Sequence, residues 1–328
     1  MKNRILCIVG PTACGKTGLA VKLAARFGGE VVSADSMQAY RFMDIGTAKP
    51  TTEEREGVPH HMMDVCDPDE EYSVARYVEE ACEVVDDILS RGRLPIVVGG
   101  TGLYVEALIN GKAFSGESGD KALRGELNEY AAVHGRKALH EMLALHDPEC
   151  AARIHVNDVK RVIRSLEIVK TTGMPVSAYN KSNLARKPRY DAAVISPDIQ
   201  PRAELYAKID ARVDKMIDRG LADEVKGITG RFRLSPTAAQ AIGYKEMFPY
   251  LDGKCTLGEA TEAIKLNSRH YAKRQYTWFR RNPDIFLAAA DGNNSQSILE
   301  NSSTFVVNCG ILNEETKFTR DWIGQDDE

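Results

Sequence analysis

The 328-residue sequence lacks several features that would place a protein in a class at once. No apolar run approaches 18 residues, so nothing predicts a transmembrane helix. There is no C-x-x-C pair, and the seven cysteines are odd in number and widely scattered, which favours reduced thiols over disulfides or zinc ligands. The start, Met1-Lys2-Asn3-Arg4, has no small-residue cleavage site before its first apolar segment. We therefore expect no secretory signal and a cytoplasmic location.

An excess of charge of one sign is also missing. Lys and Arg number 43 against 47 for Asp and Glu, which gives a net charge of −4. This balance excludes a uniformly basic nucleic-acid coat but allows a local basic surface. Apolar residues at 43% and charged residues at 27% are typical of a globular protein, and the length allows one large domain or two modest ones.

Strand-like and helix-like segments alternate in the first hundred residues. Short apolar strand patterns cover 5–9, 30–35 and 94–98, and helical spacing covers 17–27 and 73–91. Strands that alternate with helices predict a parallel sheet whose functional loops lie at the carboxyl ends of the strands.

The middle of the chain has a different character. Residues 119–182 show no convincing strand and indicate successive helices, with a break near 146–148. Residues 192–196 return to a strand pattern, and 201–281 are helical again. We predict an α/β core formed by residues 1–112 and 189–312, a helical insertion at 113–188, and a flexible acidic tail at 313–328.

The segment between the first strand and the first helix matches G-x-x-x-x-G-K-[ST], the P-loop pattern. Its residues are Gly10, Pro11, Thr12, Ala13, Cys14, Gly15, Lys16 and Thr17. Successive backbone N–H groups and a helix N-terminus attract anions, Lys16 adds a positive charge, and the Thr17 hydroxyl can bind Mg²⁺. The pattern therefore predicts a polyphosphate site.

Two other strand ends carry polar groups that should face the same crevice. Asp35 follows the second strand, where a carboxylate could hold Mg²⁺ through water, act as a general base, or simply cap a turn. Thr101 lies in the Gly99–Gly102 turn after the third strand. Its hydroxyl could bond a phosphate oxygen that gains charge, although an ordinary glycine-rich turn would look the same.

Two signatures of nucleotide hydrolases are absent. No strand has the four-apolar-then-Asp form of a clear Walker B element, and there is no N-K-x-D guanine-reading signature. These absences weaken the interpretation as a motor ATPase or a GTPase. A small-molecule kinase that uses ATP remains an alternative.

Two segments are locally basic. Residues 157–164 carry Lys160, Arg161 and Arg164, and residues 269–281 carry five Lys or Arg, four aromatics and no acid. Such segments suit contact with a phosphate backbone and stacking on unpaired bases, although a solvated helix face over core aromatics gives the same pattern. A non-catalytic RNA-binding module therefore also remains possible.

Together these segments resemble the tRNA dimethylallyltransferase family, also called the IPP transferases. The resemblance runs in order from residue 5 to about 282. It rests on G-P-T-A-x-G-K-T at 10–17, A-D-S-M-Q at 34–38, M-D-I-G-T-A-K-P at 43–50, G-G-T-G-L-Y at 99–104, A-I-G-Y at 241–244 and K-R-Q at 273–275. Cys14 departs from the commoner Ser, and nothing beyond 285 contributes.

The resemblance implies a P-loop NTPase-like sheet with a helical insertion, a monomer, and Mg²⁺ as cofactor. It also implies transfer of a dimethylallyl group from dimethylallyl diphosphate to an adenosine in tRNA. The target would be the exocyclic amine of the base on the 3′ side of the anticodon, in tRNAs reading codons that begin with U. That base must leave its stack to react.

The resemblance also implies roles for individual residues. Thr101 would bond the bridging oxygen, Asp35 would take the proton from the adenine amine, and Lys16 and Arg212 would bind the diphosphate, with Mg²⁺ on Thr17. The residues expected to bind tRNA are Asp35, Ser36, Met37, Gln38, Thr101, Val159, Lys160, Arg161, Val162, Ile163, Arg164, Gly243, Tyr244, Lys273, Arg274 and Gln275. Among these, Ser36, Met37 and Gln38 would line the adenine pocket, and segments 158–164 and 269–281 would hold the anticodon arm.

Overall fold

A computed structural model describes residues 3–111, 121–184, 187–289 and 295–311. The tail predicted at 313–328 lies outside these residues. The chain divides into two compact units, which we name the α/β unit (1–109 with 189–328) and the helical unit (110–188).

The α/β unit alternates strands and helices. Its strands are β1 (Arg4–Val9), β2 (Gly29–Ser33), β3 (His60–His61), β4 (Leu94–Gly99), β5 (Asp191–Asp198) and β6 (Phe286–Ala289). Its helices are α1 (Lys16–Phe27), α2 (Val74–Ser90), α3 (Gly102–Asn110), α8 (Arg202–Asp218), α9 (Leu221–Arg231), α10 (Met247–Leu251), α11 (Leu257–Phe279) and α12 (Ser295–Asn308), of which α3 ends at the boundary with the helical unit.

The six strands form one parallel sheet in the order β3-β2-β4-β1-β5-β6. Val9 pairs with Gly99 and Ser33 with Val98, so β1, β2 and β4 end together at one edge. The α/β fold predicted from alternation is confirmed. The register brings the P-loop, Asp35 and the Gly99–Gly102 turn to that edge, the usual ligand position in such sheets.

Burial explains the continuous apolar strand patterns. Residues 5–9 of β1 are 0% exposed, because neighbouring strands and helices on both faces cover them. Leu6 and Ile8 pack in one cluster with Leu19 and Leu23 of α1. This packing holds α1, the helix that follows the P-loop, against the sheet.

Three features depart from the sequence prediction. β2 ends at Ser33, two residues before the end of the predicted strand pattern at 35, and Asp35 lies in the turn after the strand, as expected. Residues 232–246, predicted to be helical, contain only a short 3₁₀ turn at Ala238–Gln240. Beyond 285 the sequence pattern gave no assignment. In the structure β6 adds an edge strand to the sheet, and α12 packs against it, with Phe286 stacked on Phe305 at 4.4 Å between ring centroids.

The helical unit contains α4 (Lys121–His146, interrupted at Gly135), α5 (Pro148–Arg153), α6 (Val159–Thr172) and α7 (Val176–Leu184). Leu139, Leu143 and Leu166 are among the leucines of its own apolar cluster. No helix in the described part of the chain is long and apolar enough to cross a bilayer.

Candidate active site

The P-loop forms the turn between β1 and α1. Gly10, Ala13 and Gly15 adopt positive φ angles of 135°, 64° and 88°, which curl the backbone before the helix starts at Lys16. The Lys16 ammonium donates to the Pro11 carbonyl at 2.6 Å. A curled loop at a helix N-terminus with a lysine beside it is an anion-binding arrangement.

Cys14, the departure from the family pattern, points into the protein. It is 2% exposed and packs in an apolar cluster with Ile199, Ile209 and Ala272. Its side chain therefore packs as a small apolar core residue. The anion cradle depends on backbone N–H groups, and the Lys16 ammonium beside it also donates to the Cys14 sulfur at 3.9 Å.

The turn after β2 is tied to the turn after β4. The Asp35 carboxylate accepts the backbone N–H of Met37 at 2.9 Å. The Ser36 backbone N–H donates to the Thr101 hydroxyl at 3.2 Å, and the two hydroxyls of Ser36 and Thr101 are 3.4 Å apart. The two candidate catalytic side chains are thus held on linked turns, and one oxygen of Asp35 supports its own turn.

Arg212 reaches the crevice from α8. Its guanidinium donates to the Thr12 hydroxyl at 3.1 Å and to the Ala48 carbonyl at 3.5 Å. Burial lowers the pKa of Arg212, while the nearby Asp35 carboxylate acts in the opposite direction. Within the described residues, no carboxylate forms an ion pair with Arg212, so its charge faces the crevice uncompensated at short range.

Gln275 of α11 connects two of the loops. Its side-chain oxygen accepts the Thr12 backbone N–H at 2.8 Å, and its amide nitrogen donates to the Gly100 carbonyl at 3.0 Å. The side chain is only 5% exposed. We expected Gln275 to bind tRNA, but its amide is occupied within the protein, between the P-loop and the Gly99–Gly102 turn.

Of these groups, Thr12, Asp35, Ser36 and Arg212 line a cavity of about 270 Å³. It is lined by Thr12, Asp35, Ser36, Met37, Gly46, Thr47, Ile209, Arg212, Val213, Met216, Gln240, Ala241, Ile242, Lys245, Ile264, Ser268, Tyr271 and Arg274. One part of the lining is polar and cationic, and the other part is aliphatic. Such a cavity can hold a ligand with a charged end and an apolar end.

Sequence reasoning missed most of the aliphatic lining. Ile209, Val213 and Met216 are spaced three or four residues apart on α8, and Ile264, Ser268 and Tyr271 repeat this spacing on α11. The same spacing is typical of any buried helix face, so the pattern alone does not distinguish a pocket from a core. Burial raises the pKa of Tyr271 to about 12, so its phenol is neutral at physiological pH.

Two residues expected to bind tRNA lie inside the α/β unit. Tyr244 is 0% exposed and donates its hydroxyl to Glu224 at 2.5 Å. Gly243 is buried, with its N–H bonded to Glu246 at 2.8 Å. Gln38 is partly exposed beside the cavity and donates to the carbonyls of Thr47 and Ala48, each at 3.4 Å.

The helical period places some residues of segment 159–164 in the interior of the helical unit and others on its surface. Val162 and Ile163 are 0% and 5% exposed and pack in the apolar cluster of the helical unit. Their side chains are therefore not available for the tRNA contact that we expected. Lys160 and Arg161 are exposed. Arg164 bonds at 2.7 Å to Glu167, which is 1% exposed, and therefore neutralises a buried charge.

The fold and site define a P-loop α/β protein in which Thr12 of the loop and Arg212 of α8 line a partly aliphatic cavity. A family profile described as IPP transferase matches residues 38–282, and one described as Isopentenyl transferase matches residues 3–65. The chain is 47% identical to the tRNA dimethylallyltransferase of Carboxydothermus hydrogenoformans, over 87% of this chain and 91% of that one.

Solved structures agree with the profiles. The full-length tRNA isopentenylpyrophosphate transferase of Bacillus halodurans is 44% identical, with a TM-score of 0.70, and the match covers 94% of this chain and 96% of that one. A eukaryotic dimethylallyltransferase acting on tRNA gives a TM-score of 0.79 at 33% identity, covering 94% of this chain and 80% of that one. The chain belongs to the IPP transferase family, which confirms the resemblance. The kinase alternative finds no support among these relatives.

Proposed function

We propose that this protein transfers a dimethylallyl group from dimethylallyl diphosphate to the exocyclic amine of an adenosine in tRNA. The adenosine is the 3′ neighbour of the anticodon in tRNAs reading codons that begin with U. The observation that carries the proposal is the cavity that is lined both by Thr12 and Arg212 and by aliphatic side chains, with Asp35 on its wall. A prenyl diphosphate likewise combines a charged end with an apolar end.

The donor half of the cavity suits a leaving diphosphate. In the reaction, the bond between C1 of the dimethylallyl group and the bridging oxygen breaks, and the diphosphate leaves with the electron pair. P-loop N–H groups, Lys16 and Arg212 would stabilise that charge, and the Thr101 hydroxyl would bond the bridging oxygen. Met37, Ile209 and Val213 provide an aliphatic surface for the five-carbon chain.

The acceptor half contains Asp35. The adenine nitrogen would form the new bond to C1 and release a proton, and an amine conjugated to a purine is a poor nucleophile. A carboxylate within reach of that proton is therefore useful, and Asp35 would accept it. One Asp35 oxygen already accepts the Met37 N–H at 2.9 Å, which fixes the carboxylate and leaves the other oxygen to serve as the base.

Mg²⁺ fits this site as a partner of the diphosphate rather than as a resident ion. No three His, Cys, Asp or Glu side chains come together as a metal cage anywhere in the described ranges. Thr17 supplies one hydroxyl at the N-terminus of α1, and Mg²⁺ commonly takes one or two protein oxygens with the rest from phosphates and water. When bound there, the ion would neutralise charge on the departing diphosphate.

The RNA-facing surface is best supported on α11. Lys273, Arg274 and Arg280 are exposed, and no ion pair to any of them is formed by the described residues. Arg202 and Arg280 lie over the Tyr276 ring at 4.8 and 4.2 Å from its centroid. Uncompensated cations beside an aromatic suit a phosphate backbone and unpaired bases. Since tRNA is the substrate, we place the protein in the cytoplasm. We also expect the protein to be a monomer.

A transfer assay tests the proposal. Purified protein is incubated with bulk tRNA and either dimethylallyl diphosphate labelled in its prenyl group or ATP labelled in its γ-phosphate. We expect label in tRNA from the prenyl donor alone, located by nuclease digestion at the base 3′ to the anticodon. Phosphoryl transfer from ATP, or tRNA binding without any transfer, would contradict the proposal.

Lys16→Ala provides the matched control. We expect this variant to lose transfer and to keep its tRNA affinity, because Lys16 serves the diphosphate and not the RNA. Near-normal turnover by Lys16→Ala would contradict the polyphosphate assignment.

A further inference from the structure

One carboxylate of α9 binds three successive backbone N–H groups of a distant loop. Glu224 accepts the N–H of Asp44 at 3.0 Å, of Ile45 at 2.7 Å and of Gly46 at 3.1 Å. The Tyr244 hydroxyl donates to the same carboxylate at 2.5 Å. Four donors converge on one ionised group, and hydrogen bonds to charged acceptors are about twice as strong as neutral ones.

The carbonyls that follow in the same loop point toward the site. Thr47 and Ala48 accept from the Gln38 amide, each at 3.4 Å, and Ala48 also accepts from Arg212 at 3.5 Å. The loop thus has its N–H groups fixed on Glu224 and its carbonyls bonded to two side chains of the site. The loop is therefore in contact with both Gln38 and Arg212.

Tyr244 supports the loop from behind. A Cβ atom on Gly46 would lie 2.4 Å from the Tyr244 ring, so only glycine allows this approach. Burial raises the pKa of Tyr244, and the neighbouring Glu224 carboxylate raises it further, so the phenol keeps its proton and remains a donor. Gly46 and Thr47 then form part of the cavity wall, whereas Glu224 is not among the residues that line it.

We propose that Glu224 is a positioning residue for the transfer reaction. It holds residues 44–46 so that Arg212 is presented to the diphosphate and Gln38 keeps its position beside the loop, without contact between Glu224 and either substrate. This inference rests on the proposed function. A carboxylate is needed because its two oxygens accept all four donors, whereas an amide directs an N–H₂ group at donors.

Glu224→Gln is the principal test, and Asp223→Asn, which removes the exposed carboxylate of the neighbouring residue on α9, is its matched control. Hydrogen exchange should become faster at the amides of 44–46 in Glu224→Gln, and kcat should fall by roughly 10²-fold, as expected when reacting groups are displaced by about 1 Å. Affinity for inorganic diphosphate should fall with it. Asp223→Asn keeps all four hydrogen bonds to Glu224, so exchange at 44–46 should stay slow and kcat should change by less than about twofold.

A purely structural role makes a different prediction. Glu224→Gln would then melt at a lower temperature, but at temperatures where it is fully folded its kcat and both KM values would match those of the wild type. That result would overturn the inference, as would fast exchange at 44–46 in the wild type. If Glu224→Gln does not fold, Glu224→Asp retains the charge on a shorter side chain, and a folded Glu224→Asp with fast exchange at 44–46 and unchanged kcat would equally overturn it.

Failure of the proposed function is distinguishable from failure of this inference. A wild-type protein that transfers no dimethylallyl group would contradict the proposed function. Exchange at 44–46 and inorganic diphosphate binding need neither tRNA nor the prenyl donor. If Glu224→Gln speeds exchange at 44–46 and weakens inorganic diphosphate binding, the connection from Glu224 through the loop to Arg212 is supported even without transfer activity. If neither measurement changes, the inference is overturned.

Discussion

The side-chain oxygen of Gln275 accepts the backbone N–H of Thr12 at 2.8 Å, across 263 residues of sequence. The other end of the same amide donates to Gly100 at 3.0 Å. One buried side chain of α11 therefore fixes the distance between the P-loop, which would bind the diphosphate, and the turn that carries Thr101. We therefore expect Gln275 to support the donor site rather than to contact RNA.

Gln275→Met should weaken binding of dimethylallyl diphosphate and leave tRNA affinity nearly unchanged. Methionine has a similar volume but leaves the Thr12 N–H and the Gly100 carbonyl without their partner, and an unsatisfied buried group costs about 1–3 kcal/mol. Donor affinity should fall by roughly tenfold or more, as measured by equilibrium binding.

Lys273→Met is the control for this prediction, since Lys273 lies on the same helix but is exposed. It should lower tRNA affinity and spare donor affinity. If Gln275→Met weakened tRNA binding alone, the supporting role of Gln275 would be wrong.

Local patterns predicted a large part of the fold and some of the site. The P-loop has fixed spacing within eight residues, and the buried strands have continuous apolar runs, so both are readable without knowing any tertiary contact. The parallel sheet then brings Asp35 and Thr101 to one edge, because the carboxyl ends of its strands meet there.

Contacts between distant segments could not be predicted. Glu224 meets Gly46 across 178 residues, and nothing in either local sequence indicates the partner. β6 has only four residues, too few to show a period, and becomes a strand because β5 offers it an edge. Helical spacing places Val162 and Ile163 on an inward face. The prediction treated the whole basic segment as one RNA-binding surface and so overlooked the difference between its buried and exposed residues.

The exposed cations of α6 should contribute to the salt dependence of tRNA binding. Removing Lys160 and Arg161 together, as Lys160→Gln/Arg161→Gln, should reduce the slope of log K against log salt by about one to two, since each lost phosphate contact lowers it by about 0.7–0.9. Lys22→Gln, an exposed lysine on α1, should leave the slope unchanged. An unaltered slope in the double variant would show that this helix face is simply solvated.

Arg164→Gln should behave differently from its neighbours on α6. Glu167 is 1% exposed and is held by Arg164 at 2.7 Å and Arg124 at 3.0 Å. Loss of one partner of a buried carboxylate is strongly destabilising, so we expect a lower melting temperature. Thermal unfolding measures this, and Arg161→Gln is the control because Arg161, among the residues that the structure describes, pairs with the partly exposed Asp158 alone. Equal melting temperatures would contradict the assignment.

Stability should depend on pH through Glu30, which is 3% exposed at the start of β2. Hydrogen bonds from Arg91, with a smaller contribution from His61, lower the pKa of Glu30 to about 2 against the opposing effect of burial. A depressed pKa stabilises the fold at pH values above that of the unfolded carboxyl, near 4.5, and this contribution is lost as the pH falls toward 2.

Glu30→Gln tests this dependence. The wild type should exceed the variant in unfolding free energy at pH 7, and the difference should shrink by about 3 kcal/mol between pH 5 and pH 2. Denaturant unfolding across that range provides the measurement. A difference that stays constant with pH would show that Glu30 is not the titrating group.

The most direct test of the mechanism is single-turnover transfer by Asp35→Asn at saturating tRNA, with donor binding measured across a Mg²⁺ titration. Asparagine can still accept the Met37 N–H, so the turn is retained and only the proton acceptor is lost. We predict that the transfer rate falls by roughly 10²–10⁴, the usual contribution of one positioned base, while donor affinity changes little. A collapse of donor affinity and of its Mg²⁺ dependence, with the rate intact at saturation, would assign Asp35 to the metal and contradict its role as the base.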